Sequence, residues 1–336
     1  MSRPAAAILD ADGLRLSAAE RALFRETDPW GFILFARNVD TPDQLRALTS
    51  DMREAVGRNA PVLIDQEGGR VQRLGPPHWR AWPPALDQVA RAGPHAAAAM
   101  RLRSRLIAAE LGALGIDVNC APVLDVAQPD THPILRNRCY GTDAGGVAEI
   151  GRAVAEGLLA GGVLPVIKHM PGHGRARVDS HRALPRIDAP PDLLDAVDFA
   201  PFRALRDLPI GMSAHVVLPD VAAAPVTVAP EGVALIRDRI CFDGLLLTDD
   251  LSMQALSGTP ASRAAAAIAA GCDVALYCNG PMAERRAVAE AAGPLNDAAM
   301  ARATRALSQR GDPDSVDIAA LEADLEAIMS GQGADG

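Results

Sequence analysis

Residues 147–168 read VAEIGRAVAEGLLAGGVLPVIK, and they carry the repeating unit of the fold. Val147, Ile150, Val154 and Leu158 recur at helical spacing and lay one apolar stripe along a helix, which Gly161 and Gly162 then end. The chain next enters a short apolar run, 163–168, without polar alternation, as suits a strand covered on both faces. Comparable runs occupy 31–35 (GFILF), 61–65 (PVLID), 116–126 (IDVNCAPVLDV), 210–217, 244–249 (GLLLTD) and 272–278 (CDVALYC). Between them, Leu102, Leu106, Ile107, Leu111 and Leu114, closed by Gly115, mark another helix. Alternating strands and helices predict a parallel sheet wrapped by helices. Seven strands are clear, and 5–10 or 184–187 would supply an eighth. No GxGxxG follows the first strand, and polar clusters follow many of the others. The expected fold is therefore α/β, a (β/α)8 TIM-type barrel with some irregular units. It forms a single domain over 1–336, with an amphipathic C-terminal helix at about 316–329 once GDPDS breaks the pattern.

Composition narrows the function. A chain of 336 residues, 49% of them hydrophobic, can bury one large core. Its net charge of −9 and its lack of a basic tract argue against nucleic acid or an anionic membrane as partner. Small, neutral or locally captured substrates fit better, and no obligatory protein partner is implied. The N-terminus lacks the apolar core of a signal peptide, and no later run is long enough to span a bilayer, so a cytoplasmic location is expected. Cys120, Cys139, Cys241, Cys272 and Cys278 form an odd set without a CxxC pair, which points to buried free thiols. Lys168 is the only lysine among 33 Lys and Arg residues. A compact ammonium kept in an arginine-rich chain points to a function that a planar guanidinium serves poorly.

Polar residues gather where a barrel would place its mouth. They are DQEGGRVQR after the second clear strand, KHMPGHGRARVDSH after the fourth, SAH in the fifth and TDDLSM after the sixth. Four of the seven histidines (His169, His173, His181 and His215) fall in these segments. Asp249 and Asp250 are neighbours on a strand, so one faces the mouth while the other turns to backbone donors or caps the next helix. Asp179 and His181, two apart on an extended segment, project to one side. There the carboxylate can orient the imidazole and favour its protonated form for general acid catalysis; the plainer reading is a histidine that bonds a nearby loop. Pro171-Gly172-His173-Gly174 reads as a loop able to move. Asp65 and Arg73 suit the vicinal hydroxyls of a sugar, or else a surface ion-pair network, and Arg138 invites the same two readings.

These motifs, taken in order with RNRCYG, MSAHV, LLLTDDLSM and AGCDVALYC, resemble the bacterial cytoplasmic β-N-acetylhexosaminidases of glycoside hydrolase family 3, the single-domain type involved in cell-wall recycling. The resemblance runs from about residue 31 to residue 278. It implies a barrel, a retaining mechanism, and release of terminal non-reducing N-acetyl-β-D-glucosamine from peptidoglycan-derived muropeptides. Carried over residue by residue, it makes Asp249 the nucleophile and Asp179 with His181 the acid/base dyad. Asp65, Arg73, Arg138, Lys168 and His169 would bind the sugar. Two places depart from the family pattern: Met170 stands where Phe is usual, and Arg175-Ala176-Arg177 where an Asp-Thr pair is more usual.

In the implied reaction Asp249 attacks the anomeric carbon, the His181 imidazolium protonates the leaving oxygen, and neutral His181 later deprotonates water. No metal and no organic cofactor has a role. Lys168 and His169 are adjacent, so a regular strand would send them to opposite faces, whereas the resemblance puts both on the sugar. A non-proline cis bond between them would reconcile the two. The rivals are a metal-dependent barrel hydrolase using Asp65, Glu67, His169, His181 and Asp249, and a non-catalytic sugar-binding protein on the same fold. The first lacks an HxH or HExxH pair, and Lys168 would compete for its carboxylates.

Overall fold

A computed structural model describes residues 3–178 and 183–331 of the chain. Its strands are β1 (Ala5–Asp10), β2 (Pro29–Leu34), β3 (Val62–Ile64), β4 (Gln66–Gly68), β5 (Val71–Gln72), β6 (Val118–Asn119), β7 (Leu164–Met170), β8 (Ile210–Ser213), β9 (Leu245–Leu247) and β10 (Ala275–Tyr277). Eight of them pair in parallel in the order β10-β1-β2-β3-β6-β7-β8-β9. The two ends of this sheet meet through a parallel bridge from Leu247 to Val274 and an N–H bond of 2.9 Å from Leu251 to the Leu276 carbonyl. The sheet thus all but closes into a barrel with helices outside it. The strands β4 and β5 form a separate antiparallel hairpin at the mouth.

The eighth strand is 5–10, whose six residues AAAILD are all buried. Residues 184–187 are not a strand, and Arg186 makes only an isolated bridge to Val217. The long run 116–126 is regular strand only at Val118–Asn119. Pro122 has no N–H to give the ladder, so the chain continues with single contacts such as Leu124 N–H to the Lys168 carbonyl at 2.7 Å. Four of the five cysteines are buried as expected, and Cys241 is exposed.

Local sequence sets the helices. Ser17 and Glu20 form a reciprocal capping box, and Thr41 and Thr259 cap helices that begin with proline. The two helices read from their apolar stripes run Ala96–Gly112 and Ala144–Ala160. They approach closely because Gly157 has no side chain: a Cβ there would lie 2.3 Å from the Arg101 carbonyl oxygen. The crossovers after β7 and β8 are irregular, each containing a π-helical turn, Leu194–Asp198 and Leu235–Arg239. A last helix, Ile318–Ser330, packs on the Ala96–Gly112 helix.

The end of the barrel opposite the mouth is stitched by buried aspartates that precede strands. Asp273 accepts the Leu246 N–H at 2.9 Å and pairs with Arg237 at 2.7 Å and Arg302 at 3.1 Å. Asp117 does the same for Val62 N–H at 2.9 Å, with Arg53 at 2.6 Å and Arg310. Each carboxylate ties two strands together and neutralises guanidinium groups that cross between helices. Asp273→Ala leaves an N–H and a largely buried Arg237 without their acceptor. It is expected to cost about 3–5 kcal/mol of unfolding free energy. Urea denaturation measures this, and a loss under about 1 kcal/mol would show that the stitch is dispensable.

Candidate active site

The C-terminal ends of β2, β3, β7, β8, β9 and β10 open onto a cavity of about 320 Å³. Asp65, Arg73, Arg138, Lys168, His169 and Asp249 all line it, so six of the eight residues singled out in sequence come together at one place. The other two, Asp179 and His181, lie outside the described residues.

Asp65 follows β3, one step beyond the last ladder residue. Its Oδ1 accepts from Lys168 Nζ and its Oδ2 from Arg73, both at 2.9 Å. Burial opposes its ionisation, but the Lys168 and Arg73 charges outweigh burial and hold the carboxyl below its ordinary range. Lys168 Nζ also meets Glu67 Oε1 at 2.7 Å. Glu67 in turn grips Arg138 with both oxygens, at 2.8 and 2.9 Å. Burial again opposes charge on Glu67, and Arg138 and Lys168 bring it down to about 2. Lys168 is 2% exposed. Its partners Asp65 and Glu67 overcome that burial and raise its pKa, so it stays an ammonium.

Lys168 and His169 share the end of β7, and the peptide between them is cis. Both side chains reach the cavity. His169 Nδ1 lies 2.7 Å from Asp125 Oδ2, and its Nε2 lies 3.3 Å from Arg138. Guanidinium only donates, so in this contact Nε2 accepts and Nδ1 donates toward Asp125. Asp125 also accepts the His173 N–H at 2.7 Å. Burial opposes its charge, but His169 and the His173 contacts hold Asp125 at about 2.

Asp249 and Asp250 lie beyond the end of β9 rather than on it, and both line the cavity, so their different roles come from their hydrogen bonds and not from strand alternation. Asp250 turns to Ser252 N–H at 2.9 Å, Ser252 Oγ at 2.7 Å and Cys278 N–H at 3.1 Å, and burial pushes it up to about 6. Asp249 accepts only its neighbour's N–H, at 2.8 Å, and no ion pair holds it among the described residues. Burial works against its charge, but His169 and His215 lower its pKa overall, so an ionised carboxylate faces the cavity. His215 fixes the backbone here, with Nε2 at 3.0 Å from the Asp250 carbonyl and Nδ1 at 2.9 Å from Thr227 Oγ1.

The first part of the Pro171–Gly174 loop is packed rather than free. Gly174 lies against the Val126 backbone, where a Cβ would come within 2.0 Å of the carbonyl oxygen. Arg175, one of the two departures from the family motif, pairs with buried Asp198 at 2.7 Å and ties the loop to the π-helical turn. Met170, the other, is fully buried beside Gly211.

Sequence reading missed two residues that position the rest. Glu67 appeared only as an imagined metal ligand, yet Lys168 and Arg138 occupy it. Asp125 was hidden in an apolar run, where LDV offered only one acid at a strand end. The cations on Asp65 and Glu67 also remove those carboxylates from any metal set. Among the described residues, the group able to hold an ion is Asp125, His169 and His173.

The family model described as glycosyl hydrolase family 3 N terminal domain matches residues 7–309. A β-hexosaminidase of Methylococcus capsulatus is 39% identical over 281 residues, 82% of this chain and 83% of its own. Among solved structures, NagZ from Neisseria gonorrhoeae in complex with N-trifluoroacetyl-D-glucosamine matches at a TM-score of 0.82 and 29% identity, over 98% of this chain and 97% of that one. A family 3 β-N-acetylglucosaminidase from a Paenibacillus species matches at 0.84 and 28%, over 96% of this chain and 67% of that one. A match that starts inside β1 and ends beyond β10 takes in nearly all of the barrel and every described residue of its mouth, and the chain belongs to glycosyl hydrolase family 3, as a glycoside hydrolase.

Proposed function

We propose that the chain is a retaining β-N-acetylhexosaminidase that releases terminal non-reducing N-acetyl-β-D-glucosamine from peptidoglycan-derived muropeptides. The observation that carries this reading is an ionised Asp249, free of any ion pair among the described residues, in one cavity with a lattice of charged donors and acceptors. At about 320 Å³ the cavity is small for a ligand site and suits one sugar ring better than a chain, which favours attack at a terminus. Relatives named β-hexosaminidase at 36–39% identity support the acetamido sugar. The motif resemblance supports the muropeptide substrate, cell-wall recycling and a cytoplasmic setting. No described helix is long and apolar enough to cross a membrane. We read 1–336 as one catalytic barrel domain acting on a small saccharide, without nucleic acid, membrane or obligatory protein partner.

In this scheme Asp65, Arg73, Arg138, Lys168 and His169 grip the hydroxyls. The carboxylate accepts, the cations donate, and His169 Nε2 accepts because Asp125 fixes its tautomer. Asp249 attacks the anomeric carbon and forms a glycosyl ester as the bond to the leaving oxygen breaks. His181, oriented by Asp179, gives that oxygen its proton. Neutral His181 then takes a proton from water, water oxygen bonds the anomeric carbon, and the Asp249 carboxylate is released. This uses no metal and no organic cofactor.

Hydrolysis of a chromogenic N-acetyl-β-glucosaminide, with the matching β-glucoside as control, tests the assignment. Wild type is expected to cleave the acetamido sugar alone, and Asp249→Asn to abolish turnover. A mutant that still turns over would remove Asp249 as the nucleophile and return the reading to a metal-dependent hydrolase, and an inert wild type would return it to a binding protein. His181→Ala should lower kcat/KM for substrates with poor leaving groups by roughly 10²–10⁴-fold and spare kcat/KM for activated aryl substrates, whose kcat falls because the second step loses its base; equal loss of kcat/KM on both would remove it as the acid. Glu67→Gln leaves Lys168 and Arg138 undercompensated beside the sugar. It should lower kcat/KM by roughly 10²-fold, about 2.7 kcal/mol, and an unchanged value would deny it a positioning role.

A further inference from the structure

We propose that His215 is a positioning residue for the nucleophile: it holds the turn 248–251 from the β8 side, so that one Asp249 oxygen stays on the Asp250 N–H and the other stays free for the cavity. This deepens the function proposed above and rests on Asp249 being the nucleophile. The turn follows β9 and is bound firmly toward β10. Thr248 gives its N–H to the Val274 carbonyl at 3.0 Å, Leu276 gives its own to Thr248 Oγ1 at 2.8 Å, and Leu251 N–H meets the Leu276 carbonyl at 2.9 Å. Cys278 N–H reaches Asp250 Oδ1 at 3.1 Å. The β8–β9 ladder, by contrast, ends at Met212 and Leu247. Among the described residues, the bond that reaches the turn from the β8 side is His215 Nε2 to the Asp250 carbonyl, at 3.0 Å.

The His215 ring is 1% exposed and stands behind the cavity wall rather than in it. An apolar side chain would fill that space without burying two polar nitrogens, so the nitrogens are kept for their bonds. A carbonyl only accepts, so Nε2 carries a hydrogen. Burial lowers the pKa of the ring, which leaves Nδ1 to accept from Thr227 Oγ1 at 2.9 Å. That hydroxyl has one hydrogen, shared with the Ala214 carbonyl at 3.0 Å, and Ser213 Oγ lies 2.9 Å behind it. The ring is therefore held at both nitrogens. Asp250, fixed through its carbonyl, gives its N–H to Asp249 Oδ1 at 2.8 Å. Asp249 faces Asp250 on its own turn, Lys168, His169 and His173 on and just after β7, and His215 just after β8; Arg263 faces His215. Burial raises the Asp249 pKa, and His169, His215, the Asp250 N–H and Lys168 together outweigh it. A loosened turn weakens that N–H bond, so the Asp249 pKa rises and the acid limb of the rate profile moves to higher pH.

Steady-state kinetics of His215→Leu and His215→Gln across pH, with calorimetric binding of N-acetylglucosamine, tests the role. His215→Leu should lower kcat/KM by at least ~10-fold, alike for activated aryl and for poor leaving groups, because a displaced nucleophile slows attack on both. Its Kd for N-acetylglucosamine should stay within about threefold of wild type, and its acid limb should move up by about half a pH unit. His215→Gln restores an amide donor for the carbonyl and an acceptor for Thr227, and should recover most of the rate. Unchanged kcat/KM in His215→Leu, a loss confined to poor leaving groups, a loss matched by weaker sugar binding, or a glutamine variant no better than the leucine one would overturn the proposal. Where His215→Leu fails to fold, Thr227→Val removes the hydroxyl behind Nδ1; a smaller loss of the same pattern supports the role, and none overturns it. Asp249→Asn run alongside separates the two failures. A dead Asp249→Asn with an indifferent His215→Leu defeats this inference alone, whereas turnover in Asp249→Asn defeats the nucleophile assignment and this inference with it.

Discussion

The mouth of this barrel is organised by a single buried ammonium. Lys168 Nζ sits between Asp65 and Glu67, at 2.9 and 2.7 Å, with almost no contact with solvent. A charge so placed must be compensated in full, and its two carboxylates must be compensated in turn by Arg73 and Arg138. The result is a chain of charged groups from β3 across to β7 in which each member fixes the next. Arg138 extends it to His169 and His169 to Asp125, so the tautomer of one imidazole depends on an ion pair two residues away. A planar guanidinium in place of the ammonium would have to point its fork at two carboxylates approaching from different strands. That explains the one lysine in a chain that otherwise uses arginine.

The two ends of the barrel use aspartate differently. At the closed end, Asp117 and Asp273 are saturated by arginines and strand N–H groups, which suits a structural part. At the mouth, Asp250 is saturated by Ser252, Cys278 and Asn279, while Asp249 beside it keeps its outer oxygen toward the cavity. The distinction between a scaffold carboxylate and a reactive one lies in the number of donors that already hold it.

The loop after β7 joins these halves. Its first residues are locked by Asp125, by the Val126 backbone and by the Arg175–Asp198 pair. The departure from the family motif at Arg175 thus supplies an anchor of its own, in an irregular crossover where a π-helical turn presents Asp198.

Much of this was legible in the sequence because it depends on local periodicity and residue type. Apolar runs and glycine stops predict strands and helices directly, and the order of strand and helix implies a parallel barrel. DQEGGRVQR, KHMPGHG and TDDLSM follow strands, so the gathering of Asp65, Lys168, His169 and Asp249 follows once a barrel is assumed. The first strand was ambiguous because AAAILD lacks β-branched residues except Ile8, and the run 116–126 was overread because Pro122 interrupts its ladder. Tertiary structure alone decided the partners. Nothing in the chain order says that Glu67 will hold both Lys168 and Arg138, or that Asp125 will hold both the His169 ring and the His173 N–H. Residue type determines which groups can carry charge or a proton. Which of them meet, and therefore which are ionised, neutral or reactive, is set by distances between strands far apart in sequence.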